Sequence, residues 1–334
     1  MESPPSFTWP SARRPIVALA PMAGVTDASY RQLLKEIAPE IIVYTELLSS
    51  DALHHGAKKT KEMLAFDPQR ERPFIVQIFG KDPDHFLTAA KVVEQAGADG
   101  IDINMGCPAA RVVSSCHGSA LMKDPDLAAS IVATAKKAVS IPVSVKTRLG
   151  WNNADALIPF CRRLVEAGAD ALAIHARTYT QKFSGAADWE PLYALKQALP
   201  AVTIIGNGDI TSGQDAVKKI GNLDGVMVGR ATVGNPWIMQ EICGALRGAE
   251  RMENGTWKMG NAARSSHPLS FEEKIPFILR HCELAVALKG ERKGMLEMRR
   301  HLAGYVKGMD GAKDLRAQLV RVEHIWEVEK ILSK

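Results

Sequence analysis

The chain has 334 residues, 46% hydrophobic and 24% charged, which is the makeup of a globular protein with room for one large domain and a small one. No apolar run reaches the roughly 20 residues of a membrane helix, the N-terminal residues lack the basic-then-apolar layout of a secretory signal, and five cysteines without a CxxC pair fit neither a disulfide framework nor a zinc cage. A cytoplasmic protein with no membrane partner and no metal is expected, and a net charge of +5 leaves polyanion binding open without establishing it.

In chain order, eight short β-branched runs begin at Ile16, Ile41, Phe74, Gly100, Val143, Ala171, Thr203 and Gly225. Most are one βα unit apart, with Leu87 to Ala96, Leu127 to Val139 and Leu157 to Ala167 spaced as amphipathic helices. Two related turns, Ala96-Gly97-Ala98-Asp99 and Ala167-Gly168-Ala169-Asp170, each lead into a strand. Glu46, Gln77, Asn104, Lys146, His175, Asn207 and Arg230 fall at or just past strand ends. A barrel gathers such ends at one mouth, whereas an open sheet concentrates them at one switch point. The expected fold is therefore α/β, a (β/α)₈ TIM barrel over residues 1–248.

Residues 249–270 read as a linker or exposed loop, and 271–334 as a small helical bundle. Its apolar faces are predicted as Phe277, Ile278, Leu284 and Leu288; Met295, Met298, Leu302 and Tyr305; and Leu315, Leu319, Val322 and Ile325. Gly290, Gly294, Gly308 and Gly311 are expected to interrupt the helices.

The motifs point to a phosphorylated ligand. Gly206-Asn207-Gly208-Asp209 after the seventh run and Gly229-Arg230 after the eighth would let backbone N–H groups approach an anion, where barrels often hold phosphate. Either piece alone would read as a tight turn or a surface charge. Pro21, Met22 and Ala23 leave space for a flat ring, Gln77 offers donor and acceptor to a heterocycle edge, and Lys146 can hold positive charge beside it. Lys146 equally suits a solvated cation or a Schiff-base amine. His175 and Arg177 offer a ring contact and an anion contact. Cys107 stands apart, because Gly106 permits an unusual turn, Pro108 stiffens it, and a strand end presents the thiol. A thiol that is mostly protonated near neutrality can give a proton or, once ionised, attack as a nucleophile.

APMAGVTD from Ala20, VQIFG from Val76, DINMGCP from Asp102, VKTRLGW from Val145, IHARTYTQKFSGAADW from Ile174, GNGDI from Gly206 and VGRATVGNPW from Val228 occur in an order that resembles the tRNA-dihydrouridine synthase family, in particular its bacterial, NifR3-like branch. The resemblance runs from about Pro15 to Trp237, and HLAGYVKG from His301 resembles the family's helical RNA-binding domain more loosely. It implies FMN as cofactor, NADPH as electron donor and tRNA as substrate. Pro21, Met22, Ala23, Gln77, Lys146 and His175 would meet the flavin; Asn207, Gly208, Asp209, Gly229 and Arg230 its phosphate; Cys107 would be the acid. Asn104 would orient the uracil and Arg177 contact substrate.

In the tail, Arg299, Arg300 and Lys307 are expected on one basic side that holds tRNA phosphates, although Glu291, Glu297 and Asp310 offer neutralising partners. A monomer is expected. One departure is the segment Ser114-Ser115-Cys116-His117-Gly118-Ser119, where the family has a glycine-rich basic loop. The competing readings are an FMN barrel reductase of a free small molecule, a Lys146 Schiff-base aldolase and a catalytically silent RNA-binding relative.

Overall fold

A computed structural model describes residues 7–109, 113, 116–252, 256–259 and 269–333. The barrel strands are β1 (Ile16–Leu19), β2 (Val43–Tyr44), β3 (Leu48–Ser49), β4 (Phe74–Phe79), β5 (Gly100–Asn104), β6 (Val143–Arg148), β7 (Ala171–His175), β8 (Thr203–Asn207) and β9 (Gly225–Val228). They pair in parallel in the order β1-β9-β8-β7-β6-β5-β4-β2, with β3 continuing the second position against β4. An isolated parallel bridge between Ala18 and Ile42 joins the two ends, with Leu19 N donating to Ile42 O at 2.9 Å and Ile42 N to Val17 O at 3.0 Å. The eight expected strand positions thus close into a barrel.

Helices α1 (Ala28–Ile37), α2 (Ser50–His54), α3 (Lys58–Glu62), α4 (Pro83–Gln95), α5 (Pro125–Ala138), α6 (Leu157–Glu166), α7 (Glu190–Ala198), α8 (Gly213–Ile220) and α9 (Ile238–Arg247) surround it. Their starts follow local chemistry. Asp27, Asp82, Asp124 and Ser212 accept backbone N–H groups as N-caps, and Pro83 and Pro125 occupy first-turn positions where no N–H is needed. The two glycine turns also recur for a physical reason. Gly97 and Gly168 have φ of +84° and +107°, and the aspartate two residues on bonds the strand before it: Asp99 accepts from Phe74 N at 2.8 Å, Asp170 from Val143 N at 2.7 Å. Asp224 repeats the device on Ile204 N at 2.8 Å. Three carboxylates thereby tie off strand N–H groups at the barrel floor.

Outward residues of the strands pack against the helices in one large core, and inward residues form a second, smaller one. Trp9, only 1% exposed, joins Ile16, Ala18, Ile75 and Ile205 in the inner core and plugs the floor. Nothing in the pattern before the first strand announces this.

The stretch expected as linker or loop differs in part. β10 (Ala249–Arg251) and β11 (Trp257–Met259) form an antiparallel hairpin, and Trp257 anchors it, its backbone N donating to Gly221 O at 3.1 Å and its indole to Leu223 O at 3.3 Å. The tail is four helices: α10 (Phe271–Lys289), α11 (Glu291–Tyr305), α12 (Ala312–Leu319) and α13 (Ile325–Leu332). Ser270 and Glu273 form a capping box that starts α10. Met295, Met298, Leu302 and Tyr305 are buried as expected, whereas Leu288, one residue before the end of α10, is 47% exposed. Gly294 also departs from expectation. It lies inside α11, where an added Cβ would come within 2.7 Å of Ala285 O, so its role is to let α10 and α11 approach closely.

Candidate active site

Residues two apart on a strand share a face, so each strand sends alternate side chains into the barrel. On β5 these are Asp102 and Asn104, on β6 Ser144, Lys146 and Arg148. Below the mouth they form a buried polar chain. Gln77 donates to Asp102 Oδ2 at 2.6 Å, Ser144 donates to Asp102 Oδ1 at 2.7 Å, and Asn104 Nδ2 donates to Gln77 Oε1 at 2.8 Å. Burial holds the Asp102 carboxyl above its ordinary range, against the pull of the Gln77 and Ser144 hydrogen bonds and of Lys146.

The chain ends on the cysteine turn. Asn104 Oδ1 accepts from Gly106 N at 3.2 Å and from Cys107 N at 2.9 Å. Arg148, 2% exposed, grips the same turn from the other side, its Nε donating to Gly106 O at 2.7 Å while Nη1 donates to Thr178 O at 3.0 Å and Lys182 O at 2.8 Å. Gly106 itself lies against β6, where a Cβ would meet the Thr147 backbone at 3.2 Å. Cys107 is thus half-buried on a turn fixed at three atoms.

Above this turn opens a cavity of about 1010 Å³. Pro21, Met22 and Ala23 form one wall, Asn104, Cys107 and Lys146 the floor, and His175, Asn207, Gly208, Asp209, Gly229 and Arg230 the far side. Lys146 Nζ donates to Asn207 Oδ1 at 3.2 Å, and burial, then the nearby Arg148 charge, push its ammonium pKa down. His175 is held far below the usual imidazole range by burial first and then by Lys146, Arg148, Arg177 and Arg230, so its ring is neutral near neutrality. Arg177 Nη1 lies 3.4 Å from His175 Nε2; a guanidinium only donates, so Nε2 accepts and the ring proton sits on Nδ1.

The Gly-Arg side has the form of an anion cradle. Gly208 has φ of +134°, and a Cβ there would come within 2.9 Å of Ala187 Cβ; one on Gly229 would come within 3.2 Å of Ala20 Cβ. Arg230 has a side chain 59% exposed and a loose 3.5 Å pairing with Asp209, which leaves its guanidinium free to meet an anion. Small residues along one wall, backbone at the cradle and two cations fit a flat ring carrying a phosphate.

Three expected placements differ in the structure. Gln77 does not line the cavity; it is fully buried beneath the floor, with its amide spent on Asp102 and Asn104. Arg177 is 2% exposed and does not line the cavity; four of its five N–H groups go to Ser184 O at 3.3 Å, Gly185 O at 2.6 Å, Asp209 Oδ2 at 2.5 Å and His175 Nε2 at 3.4 Å, so it braces the loop. Nor does the tail present one basic face. Lys307 lines the cavity, Arg300 hydrogen-bonds Gly24 O in a separate groove of about 920 Å³ between barrel and tail, and Arg299 turns inward to Val322 O at 3.1 Å and Arg321 O at 3.2 Å. Arg299 and Arg300 are neighbours on a helix and so point about 100° apart.

Sequence reasoning missed Arg148 and Phe183. Arg148 was readable, since it follows Lys146 by two on the same strand. Phe183 was not: it is a loop aromatic, 52% exposed, held between the Arg148 and Arg230 guanidinium groups at 5.4 and 4.7 Å. Of the departing segment, Ser114 and Ser115 lie outside the described residues, while Cys116 is exposed with φ of +61°.

The dihydrouridine synthase (Dus) family matches residues 18–334. The chain is 35% identical over 321 residues to a probable tRNA-dihydrouridine synthase 1 of Synechocystis sp., covering 95% of this chain and 85% of that protein. It is 36% identical over 308 residues to tRNA-dihydrouridine synthase B of Pseudomonas aeruginosa (91% and 88%), and 35% identical over 331 residues to a probable tRNA-dihydrouridine synthase of Mycobacterium tuberculosis (95% and 81%). Among solved structures, a FabK mutant from Thermotoga maritima is similar with a TM-score of 0.42 and 14% identity, over 67% of this chain and 63% of that one.

Proposed function

The chain belongs to the dihydrouridine synthase family, and on that premise we propose that it reduces uridines in tRNA to 5,6-dihydrouridine in the cavity above Cys107. Gly208, Gly229 and Arg230 would hold the FMN phosphate and Pro21, Met22 and Ala23 would line its ring, and the bound cofactor would supply the hydride for C6 of the uracil. NADPH would be the electron source.

The protein's own part is positioning and proton delivery. The uracil C5=C6 bond is conjugated to a carbonyl, so charge that builds at C5 as C6 is reduced is quenched by a proton from Cys107 Sγ. The resulting thiolate regains its proton from water. Lys146 and His175 line the same cavity, and His175, neutral near neutrality, has no extra proton with which to compete as an acid. The base must leave its stack to enter, which folded tRNA loops allow. With Asn104's carbonyl spent on the turn and one amide hydrogen on Gln77, a single Asn104 N–H remains for the uracil.

The carrying observation is that Asn104 and Arg148 fix the Cys107 turn at the floor of the same cavity that holds the anion cradle. Cys107→Ala should keep FMN and its reduction by NADPH yet form dihydrouridine about 10²–10⁴ times more slowly, the usual share of a general acid. Cys116→Ala should match wild type. Wild-type tRNA reduction by Cys107→Ala would remove the acid assignment, and a protein that never takes up FMN would remove the cofactor.

A further inference from the structure

Outside the barrel cavity, three histidines gather on the mouth-side rim. His54 closes α2, His55 is its C-cap, and His85 lies in the first turn of α4; one ring nitrogen from each lies within 4.8 Å of the other two. The rings are in contact, His54 stacked on His85 with centroids 4.2 Å apart and His55 edge-on to both at 4.9 and 5.5 Å. Adjacent residues inside a helix diverge by about 100°. Here the helix stops between them, which is what brings both rings to one point.

The tautomers are set by neighbours. His85 Nδ1 lies 2.6 Å from Asp51 Oδ1, a carboxylate that only accepts, so Nδ1 carries the proton and, in the neutral ring that a cation binds, Nε2 is the lone-pair atom. The Thr88 hydroxyl donates to Asp84 O at 3.4 Å, so in the 3.1 Å contact with His54 Nδ1 the imidazole is the donor, and Nε2 is again the free atom. A carboxylate or hydroxyl behind the far nitrogen is the arrangement that orients metal-ligating histidines. Asp82 Oδ2, 3.9 Å from His85 Nε2, adds an oxygen donor.

We propose that His54, His55 and His85, with the Asp82 carboxylate, form a binding site for a borderline divalent cation of the Zn²⁺ class, independent of the flavin and tRNA chemistry. Imidazole nitrogens suit Zn²⁺, Ni²⁺ and Cu²⁺, and the absence of a thiol in the cluster favours these over softer ions. Tetrahedral Zn–N bonds of about 2.0–2.1 Å need nitrogens about 3.3 Å apart. His54 and His55 are exposed and His85 is partly exposed, so the rings have room to rotate towards that spacing. A bound ion would clip the end of α2 to the start of α4, and Ser49, at the other end of α2, lines the active cavity.

The test is equilibrium dialysis of the full-length, FMN-loaded protein against Zn²⁺ alone, with Cu²⁺ electron paramagnetic resonance as a second probe. Wild type should bind one equivalent and show nitrogen hyperfine structure. His54→Gln and His85→Gln should each weaken Zn²⁺ at least tenfold, Asp51→Asn about tenfold through the orienting bond, and Cys116→Ser not at all. FMN content and the melting temperature in chelator should stay at wild-type values, which shows that the variants fold. Zn²⁺ should raise the melting temperature of wild type and not of His85→Gln. Equal Zn²⁺ binding by wild type and His85→Gln, or loss of binding in Cys116→Ser, overturns the site.

Discussion

Replacing Asn104 with alanine tests whether the reactive thiol is held in place by the buried polar chain. The substitution strips the Gln77 carbonyl of its donor inside a fully buried site, which costs about 1–3 kcal/mol, and removes two bonds to the turn, each worth about 0.5–1.5 kcal/mol. A melting shift corresponding to about 2–6 kcal/mol is therefore expected, the lower half if water reaches the turn from the cavity. The functional effect is separate. A displacement near 1 Å of a reacting group costs on the order of 10²-fold, so single-turnover reduction of tRNA by pre-reduced enzyme should slow by about that factor. Asn104→Asp keeps an acceptor for the Gly106 and Cys107 N–H groups while losing the donor to Gln77. It should recover rate in part, the N–H offered to the uracil being lost, without recovering stability. Wild-type melting together with a wild-type rate in Asn104→Ala would mean the turn is not held this way. A raised KM for tRNA at unchanged kcat would mean that Asn104 serves the uracil alone.

Arg230→Ala should weaken FMN about tenfold in a fluorescence titration, the low end of a charge-assisted contact because the side chain is largely exposed; an unchanged Kd would leave the cradle without its cation. Lys307→Ala should lower the slope of log K against log salt for tRNA by about 0.7–0.9, while Arg299→Ala should leave that slope alone and lower the melting temperature; an equal fall of the slope in both variants would restore the single basic face. Acid should loosen the tail, because burial pushes His301 down to about 4 and His281 well below its ordinary value. In the unfolded chain both take up protons at about 6.5, so unfolding free energy falls by about 1.4 kcal/mol per histidine per pH unit below that, until His301 titrates in the fold near 4. His301→Phe should flatten urea midpoints measured between pH 6.5 and 4.5, and an unaltered slope would show that this histidine is not buried neutral.

What could be read without coordinates followed from periodicity. Eight strand starts, the barrel closure and the mouth position of Lys146, His175, Asn207 and Arg230 all come from alternation and from polar residues at strand ends. Depth within the barrel could not be read that way. Gln77 shares the inward face with mouth residues yet sits one layer lower, and only the stagger of neighbouring strands, Gln77 opposite Asp102 and Asn104 opposite Lys146, separates the layers. Arg177 misled for a related reason, since an arginine near a strand end looks the same whether it meets a ligand or ties down its own loop. Trp9 and the Trp257 hairpin escaped because single aromatics outside a periodic run carry no local signal of what they cover.

The division of the chain into a barrel and an appended tail also needs a physical restatement. Lys289 pairs with Asp27, the N-cap of α1, Arg300 with the carbonyl of Gly24, and His281 and His301 flank the buried Tyr30 ring with centroids at 5.4 and 5.1 Å. Tyr30 in turn donates to Thr232 O at 2.6 Å, just after the Gly229-Arg230 cradle. One buried path thus runs from α10 and α11 through α1 to the cavity wall. Removing residues 271–333 would strip the cover from Tyr30 and leave the Asp27 carboxylate without its cation, so the barrel segment alone should lose FMN affinity as well as tRNA affinity. An isolated barrel that bound FMN as tightly as the whole chain would show that the tail touches the mouth without supporting it.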